Sequence, residues 1–202
     1  MMTDKTLIIH SNKKGYDGFF KINLIRFQHS LYQGGLSPSI TRELFGRGQA
    51  VVVLLYDLNA QQVILVEQCR AGALGHALDT NNPNQAWLIE PVAGMIDDHE
   101  TALDACRRET REEAGIEVNQ FDYVCQFYPS PGGSDEILHL YAAEVDVEKI
   151  GQWGGLAEEV EDIRLVKVSF DQAKQQLLAR HYNVASTLIA LQWLFFQRLQ
   201  AS

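Results

Sequence analysis

The amino-acid sequence predicts an α+β sandwich with a β-rich extension at its N-terminus. Strand-like runs come first, one central helix interrupts them, and two helices close the chain, which is the element order of that class. The 202 residues, 46% of them hydrophobic, are enough for one well-cored domain. The sequence contains no internal repeat and no low-complexity tract, so the pattern favours a single domain plus an extension.

The first part of the chain is predicted to form strands. Residues 18–30 and 39–46 alternate apolar with polar side chains, as strands with one buried face do. Residues 49–58 and 61–70 hold two β-branched runs joined by a turn around Asp57–Gln61, which predicts a hairpin. One of these runs is almost entirely apolar, so we expect it to be buried on both faces of the sheet.

A loop and a helix are predicted in the middle of the chain. Residues 72–85 are rich in Gly, Asn and other turn formers and lack any period, which indicates a loop at the rim of a site. Residues 99–114 carry the clearest helical pattern, with Asp97 and Asp98 as candidate N-caps and Gly115 as the stop. The remaining elements are predicted as strands at 87–94, 121–128, 137–145 and 162–168, and as helices at 170–180 and 184–199.

Charge, cysteine usage and hydropathy argue against several classes of protein. A net charge of −9 leaves no basic surface for a nucleic-acid backbone, so we expect no nucleic-acid partner. The three cysteines are widely spaced and include no CxxC pair, which favours a reduced, cytoplasmic protein without a disulfide framework or a structural zinc site. No segment has the pattern of a signal peptide or a membrane span, so we expect no membrane association.

The residues that carry chemistry lie on the central helix. At about 100° per residue, with Glu109 at zero, Glu112 falls at about −60° and Glu113 at about +40°. Three carboxylates therefore share one arc within a single turn. Small apolar residues lie on the same arc and charged residues lie opposite: Ala102, Ala105 and Cys106 against Glu100, Asp104, Arg107 and Arg111.

Two interpretations of such a helix compete. A Glu-rich helix is most often a solvated face with Glu–Arg pairs, and this describes the charged side from Glu100 to Arg111. On the other side, three carboxylates beside apolar neighbours would raise one another's pKa unless cations neutralised them. Oxygen ligands of this kind suit Mg²⁺ or Mn²⁺, which also bridge to substrate phosphates. The inward glutamates therefore indicate a metal site, and the metal would supply the positive charge that the composition lacks.

The segment around this helix resembles the Nudix box. It has Gly94, five residues, Glu100, seven residues and then RETREEAGI at 108–116, so that 23 residues carry the full set of fixed positions. It departs from the family's pattern at Thr110, where an aliphatic residue is usual. The resemblance implies an α/β/α sandwich with a mixed sheet and the metal-dependent hydrolysis of a nucleoside diphosphate derivative.

The resemblance also implies a set of metal ligands. We expect roughly two or three Mg²⁺ ions, with Mn²⁺ as a substitute. The implied ligands are the side chains of Glu109, Glu112 and Glu113 and the carbonyl of Ala93, with Glu112 and Glu113 also catalytic, while Glu100 and Arg108 match structural positions.

Segments outside the box resemble the ADP-ribose pyrophosphatase branch of the family. They are GFF at 18–20, RELFGRG at 42–48, VEQCR at 66–70, SPGG at 130–133 and AEEVEDIR at 157–164. Pro131, at its distance downstream of the box, is associated with ADP-ribose hydrolysis, and the motif of NADH pyrophosphatases is absent. The resemblance implies that Phe19 stacks on adenine, that Arg70 contacts the diphosphate and that Ser130, Gly132 and Gly133 bind substrate. It implies that Arg42 and Glu43 reach the neighbouring subunit's site. It also implies that Glu159 is the base and that Glu161 is a further metal contact.

Each of these positions has an ordinary structural alternative. Phe19 and Phe20 alternate along a predicted strand, so one belongs to the core and the other is a candidate stacking platform. Arg70 at a strand end is also typical of a surface charge, and the SPGG segment is also typical of a simple turn. The acidic run within 158–162 would by itself favour a solvated loop, although an acidic loop beside metals suits a general base.

We therefore expect Mg²⁺-dependent hydrolysis of ADP-ribose to AMP and ribose 5-phosphate. Two alternatives stay open: hydrolysis of another nucleoside diphosphate sugar such as GDP-mannose, because the box recognises only the diphosphate, and a non-catalytic Nudix module that senses a nucleotide. The N-terminal strands lack an obvious core of their own. We therefore expect residues 1–47 to be a dimerisation extension and residues 48–202 the catalytic domain of a homodimer with shared active sites.

Overall fold

The computed structural model describes residues 4–200 and divides them into two compact units. One unit contains the described residues up to Gly48 together with Tyr128–Ile137, and the other contains Gln49–Phe127 and the described residues from Leu138 onward. The outermost ends of the two expected domains lie outside the described residues. The segment that carries SPGG thus falls in the same unit as the N-terminal strands.

The first unit is built on a three-stranded antiparallel sheet. Its strands are β1 (Leu7–Asp17), β2 (Lys21–His29) and β3 (Ile40–Gly46), in that order. The predicted strands at 18–30 and 39–46 are confirmed, except that residues 18–20 form a bend before β2. β1 was not predicted because polar residues such as Lys13 and Lys14 interrupt its apolar positions and register shifts break its alternation.

The second unit holds an eight-stranded sheet and four α-helices. Its elements are β4 (Gln49–Asp57), β5 (Gln62–Cys69), α1 (Leu74–Asp79), β6 (Trp87–Glu90), β7 (Val92–Met95), α2 (Ala102–Ala114), β8 (Asp122–Phe127), β9 (Ile137–Glu144), β10 (Trp153–Gly154), β11 (Ile163–Ser169), α3 (Phe170–Leu178) and α4 (Ala185–Trp193), which continues as a π-helical turn over Leu194–Arg198. The strand order is β10-β11-β5-β4-β9-β8, with β6 paired to β5 and β7 paired to β4.

The core of this unit lies on both faces of β4 and β5. Val51 packs with Ala105 and Cys106 of α2 on one face, and Val52 packs with Leu191 of α4 on the other. Every residue of β4 after the first is buried, as its apolar run predicted. The helices therefore cover both faces of the sheet, and the predicted α+β sandwich is confirmed.

The loop and the strand predicted between β5 and α2 are only partly correct. Residues 72–85 contain the short helix α1 between 3₁₀ turns, although their sequence shows no helical period. The predicted strand at 87–94 is two strands separated by Pro91, because proline lacks the N–H that would continue a ladder. The later strands and helices agree with their predictions to within two residues at their ends, apart from the π-helical end of α4.

The central helix begins later than its sequence pattern suggested. His99 has a φ of 71°, which is outside the right-handed helical region. The N-cap is Thr101, whose side chain accepts the N–H of Asp104 at 3.2 Å, so Asp97 and Asp98 are not the caps. Gly115 ends the helix with a φ of 70°, as predicted.

The sequence led us to expect no disulfide and no membrane span. Cys69, Cys106 and Cys125 are all free, so none of the three forms a disulfide. Between residues 4 and 200, no helix combines the length and the apolar character that crossing a membrane requires.

Gly154 seats β10 against the C-terminal end of α2, and this packing generates a prediction. A methyl group at Gly154 would overlap the backbone carbonyl of Glu113. We expect Gly154→Ala to lower the free energy of unfolding by about 1–3 kcal/mol in urea denaturation, because the helix backbone cannot yield. Gly72→Ala is the control, since a methyl group there meets no atom within 4 Å. Equal stability of the two variants would contradict this packing.

Candidate active site

One face of α2 carries two glutamates into the interior of the second unit. Glu109 and Glu113 are 9% and 2% exposed, and they extend the apolar face formed by Ala105 and Cys106. Glu112 lies at the edge of this face and is partly exposed. The angular count from the sequence therefore describes the inner face of the helix correctly. Carboxylates in such surroundings are costly unless hydrogen bonds or cations compensate for the water they lose.

The carboxylate of Glu113 is held against β7. Its Oε2 accepts the N–H of Ala93 at 3.1 Å. Burial raises the pKa of Glu113 to about 8, and the negative charges of Glu109 and Glu161 act in the same direction. The bond from Ala93 and the positive charge of Arg70 oppose this rise in pKa. At neutral pH this carboxyl therefore keeps a proton unless a cation takes its place.

The carboxylate of Glu109 lies directly against Gly94. A methyl group at Gly94 would overlap that carboxylate, so any other residue here would require the carboxylate of Glu109 to move. Burial raises the pKa of Glu109, and a hydrogen bond from Arg108 Nη1 to Oε1, at 2.6 Å, opposes the rise. The first glycine of the box is thus explained by the close approach of a glutamate from α2.

Arg108 connects the carboxylates around the helix. Besides Glu109, its Nη1 reaches Oε2 of Glu112 at 3.3 Å, and its Nη2 donates to the carbonyl of Met95 at 2.8 Å. Its Nε and Nη2 donate to the two carboxylate oxygens of Glu100 at 3.0 and 2.9 Å. This bidentate pair holds the pKa of Glu100 below its usual range. Arg108 therefore fixes the positions of three glutamates at once.

The predicted position of Glu100 was wrong. The helical count placed it on the solvated face, but it precedes the N-cap and its carboxylate turns to Arg108. The count fails there because the backbone leaves the helical region at His99. The solvated-face interpretation does hold for Asp104 and Arg107, which form an exposed pair at 2.9 Å.

Arg70 approaches the same carboxylates from the sheet. It directly follows β5, and its Nε donates to Oε2 of Glu90 at 2.6 Å. Its positive charge is close enough to lower the pKa of Glu113. Arg70 is therefore a guanidinium oriented by Glu90 beside the α2 glutamates rather than an isolated surface charge. Sequence reasoning missed Glu90 because a single acidic residue in a strand carries no pattern.

The loop after β10 brings Glu161 towards the α2 glutamates. The N–H of Gly155 donates to the carbonyl of Glu112 at 3.0 Å. Gly155 has a φ of 89°, and a methyl group there would crowd the carbonyl of Glu161. The negative charge of Glu161 raises the pKa of both Glu109 and Glu113. Gly154 and Gly155, which belong to no recognisable motif, thus hold the acidic loop at the C-terminal end of α2.

Glu159, predicted as the base, lies in the same loop but is exposed to solvent. Within residues 4–200, no hydrogen bond or ion pair joins it to the glutamates of α2. The next residue, Val160, has a φ of 57° and is 90% exposed. A β-branched residue rarely adopts this left-handed conformation, so the loop carries local backbone strain.

The residues present fit a hard divalent cation. Glu109, Glu112, Glu113 and Glu161 offer only carboxylate oxygens, and the two buried ones have raised pKa values that a cation would relieve. The part of the chain that the structure describes contains no three acidic, His or Cys side chains at the spacing of a ready-formed metal site. Arg108 bonds Glu109 and Glu112 instead. The observed contact of Ala93 is made by its N–H, and its carbonyl stays a predicted ligand.

Phe19 and Phe20 lie in the first unit and differ in their surroundings. The ring of Phe20 packs edge-on against Phe45, at 5.0 Å between centroids, and under the guanidinium of Arg47. Phe19 is 92% exposed and touches Phe20 edge-on at 4.7 Å. One ring thus belongs to the packing of this unit and the other is free to meet a ligand.

The other predicted substrate residues of the first unit lie on β3 and on a turn beside it. Arg42 and Glu43 are consecutive in β3, so their side chains leave opposite faces of the sheet. Gly133 accepts the N–H of Phe45 at 2.7 Å through its carbonyl, which ties the turn to β3. The predicted residues thus form two groups: Phe19, Arg42, Glu43, Ser130, Gly132 and Gly133 in the first unit, and Arg70, Ala93, Glu109, Glu112, Glu113, Glu159 and Glu161 in the second.

The chain matches a known protein family over most of its length. The model of the NUDIX domain matches residues 46–190. This chain belongs to the Nudix family. The resemblance seen in the sequence is therefore confirmed, and Nudix hydrolases generally use a divalent cation.

Several known proteins are similar to this one. The ADP-ribose pyrophosphatases of Haemophilus influenzae and of Escherichia coli (strain K12) are each 42% identical over 179 residues, which cover 89% of this chain and 81% and 83% of theirs. The GDP-mannose pyrophosphatase of Cronobacter sakazakii is 35% identical over 153 residues, 76% of each chain. A crystal structure of an ADP compounds hydrolase shares the fold, with a TM-score of 0.69 at 16% identity over 100% of this chain and 97% of the other.

The raised pKa of Glu113 predicts how the stability of the metal-free Nudix protein depends on pH. The pKa of the carboxyl rises from an ordinary value of 4.5 to about 8 on folding, so the folded state binds the proton more tightly. The stability from this group is full below 4.5 and is lost as pH rises through about 8. In EDTA, between about pH 5 and about pH 9, we expect wild type to lose at least about 1.4 kcal/mol more than Glu113→Gln, which cannot ionise.

Urea denaturation across this range measures the difference directly. Parallel stability curves for wild type and Glu113→Gln would contradict the raised pKa.

Proposed function

We propose that this protein hydrolyses the diphosphate of ADP-ribose to give AMP and ribose 5-phosphate, with Mg²⁺ as the working cation. The observation that carries the reaction class is the pair of buried carboxylates, Glu109 and Glu113, beside the guanidinium of Arg70. The choice of substrate is supported by the relatives named ADP-ribose pyrophosphatase, at 42% identity over 89% of the chain.

The metal-holding residues are proposed from the donor set. Glu109, Glu112 and Glu113 would hold the cations, with Glu161 and the carbonyl of Ala93 as further ligands. Roughly two or three Mg²⁺ ions, or Mn²⁺ in their place, suit this number of oxygens. Bound there, a divalent cation supplies Lewis-acid stabilisation of the negative charge on the phosphate oxygens.

The chain's own side chains position the substrate and move a proton. Arg70, held by Glu90, donates to the diphosphate from a fixed orientation, so little reorganisation is needed during the reaction. Glu159 accepts a proton from the attacking water, and its exposed place in the strained loop suits a base that acts once substrate is bound. Phe19 stacks on the base, which its 92% exposure supports. Ser130, Gly132 and Gly133 complete the substrate contacts.

A second candidate function is hydrolysis of GDP-mannose. The similarity to the GDP-mannose pyrophosphatase of Cronobacter sakazakii, at 35% identity, favours it. The α2 carboxylates and Arg70 would treat both substrates alike, because the two share a diphosphate. Contacts to the base and the terminal sugar must therefore decide between them.

We also propose that the sheet of the first unit forms a homodimer in which Arg42 and Glu43 reach the partner's site. Leu7, Ile9 and Phe27 share one face of this sheet, and Leu7 and Ile9 are 64% and 55% exposed. Exposed apolar side chains gathered on a sheet face are typical of a contact between subunits.

Substitution on this face tests the dimer. We expect wild type to run as a dimer in size-exclusion chromatography with light scattering and Ile9→Glu to run as a monomer, because a charge cannot be buried in an apolar contact. Lys13→Glu, on the opposite face of β1, is the control and should leave the dimer intact. A monomeric wild type would refute the proposal.

Product analysis over a substrate panel tests the activity. Wild type with Mg²⁺ is incubated with ADP-ribose, GDP-mannose, NADH and diadenosine polyphosphates, and we expect AMP and ribose 5-phosphate from ADP-ribose to form fastest. Glu113→Gln should lower turnover by about 10²–10³-fold without loss of the fold. The exposed Glu117→Gln is the matched control.

Each other result has a defined meaning. Near-normal turnover in folded Glu113→Gln would contradict the metal-site assignment, and faster cleavage of GDP-mannose would favour the second candidate. Tight nucleotide binding without turnover would indicate a sensing module.

A further inference from the structure

A buried amide donor in the second unit has no hydrogen-bond partner. Gln68, the penultimate residue of β5, is 7% exposed, and its Nε2 is unpaired. Among the described residues, only one other buried side-chain polar atom, the hydroxyl of Thr110, is also unpaired. Buried donors are nearly always paired in folded proteins, so an unpaired one marks a place where a ligand can supply the acceptor.

The amide lies on the face of the sheet that α2 covers. Alternation along β5 puts Gln68 on the same side as Val66, which packs in the core with Ala105 and Cys106 of α2. Arg70 keeps an extended backbone, with φ −108° and ψ 122°, so the alternation continues to it. Gln68 therefore lies between the core beneath α2 and the guanidinium of Arg70.

The pairing with β6 places Gln68 next to the ion pair that orients Arg70. Gln68 is opposite Leu88, and Val66 is opposite Glu90, so Gln68 and Glu90 belong to neighbouring cross-strand pairs on one face. Glu90 is the residue that holds Arg70. The unpaired amide and the fixed guanidinium thus share one strip of the sheet.

The pairing with β11 places the C-terminal end of α2 on the other side of the amide. The β5–β11 register, continued by one residue, brings Ile163 beside Gln68. Ile163 pairs with Gly154, which packs against the backbone carbonyl of Glu113. Gln68 therefore lies between Arg70 and the end of α2 that carries the buried glutamates.

We propose that the side-chain amide of Gln68 binds a phosphate oxygen of the substrate diphosphate, as a neutral donor beside Arg70. This inference rests on the proposed function, because a diphosphate substrate supplies the acceptor. An amide can occupy a buried position next to an apolar core where a second ammonium or guanidinium would be costly. Arg70 supplies charge, and Gln68 supplies a fixed direction.

Gln68→Met tests the role, because methionine has a similar volume and no donor. With Mg²⁺ and ADP-ribose, we expect KM to rise about tenfold while kcat changes less than about threefold, since the bond is made equally to bound substrate and transition state. The Tm of the substrate-free protein should stay equal or rise, because an unpaired buried donor has been removed. A residue that merely supports the fold would give the opposite change in Tm.

Two further variants sharpen the result. Gln68→Glu puts a negative charge at the same place, and repulsion of the phosphates should raise KM by at least about a hundredfold. Gln62→Met, at the first residue of β5, is the matched control and should leave KM, kcat and Tm near wild type.

The outcomes that overturn the proposal are distinct from failure of the proposed function. An unchanged KM in Gln68→Met, or a lower Tm and kcat with KM unchanged, would refute the role of the amide. If wild type hydrolyses no member of the panel, the proposed function fails, and calorimetric binding of ADP-ribose in Ca²⁺ then replaces kinetics. Equal affinities of wild type and Gln68→Met, or no binding by either, would refute the amide contact as well.

Discussion

The burial of carboxylates on α2 is the constraint on which the second unit depends. Glu109 and Glu113 lie where apolar side chains would ordinarily complete the core, and each has lost most of its water. Hydrogen bonds from Arg108 to Glu109 and from Ala93 to Glu113 offset part of this loss. The pKa values of both glutamates stay raised, so the compensation within the chain is incomplete.

The interruption of the strand at Pro91 helps to place the groups that surround the buried carboxylates. The break lets β6 pair with β5 and β7 pair with β4, so that two short strands reach different neighbours. β6 brings Glu90 to Arg70, and β7 brings the N–H of Ala93 to Glu113 and the backbone of Gly94 to Glu109. A continuous strand would pair with one neighbour along its whole length, and one of these two contacts would be lost.

Features with a local cause could be predicted from the sequence, and features with a distant cause could not. The period of α2 identified its inner glutamates, and the apolar run of β4 indicated burial on both faces. The start of α2 is an exception, because its cause is local and it was still missed: the backbone is left-handed at His99, and Thr101 rather than an aspartate is the N-cap. The positions of Glu90 beside Arg70 and of Gln68 near this pair follow from pairing between strands, which no spacing along the chain encodes.

The charges of the site explain why metal and substrate should bind together. Two guanidinium groups, those of Arg70 and Arg108, are surrounded by six carboxylates: Glu90, Glu100, Glu109, Glu112, Glu113 and Glu161. When all six are ionised, the site is strongly negative even before substrate binds. A diphosphate brings further negative charge into the same low-dielectric space, where repulsion is strong. Cations that neutralise the glutamates would therefore also reduce the repulsion between the glutamates and the phosphates. The phosphates in turn offer oxygens that strengthen the binding of the cations. Reciprocity of binding energies then requires each to raise the affinity of the other.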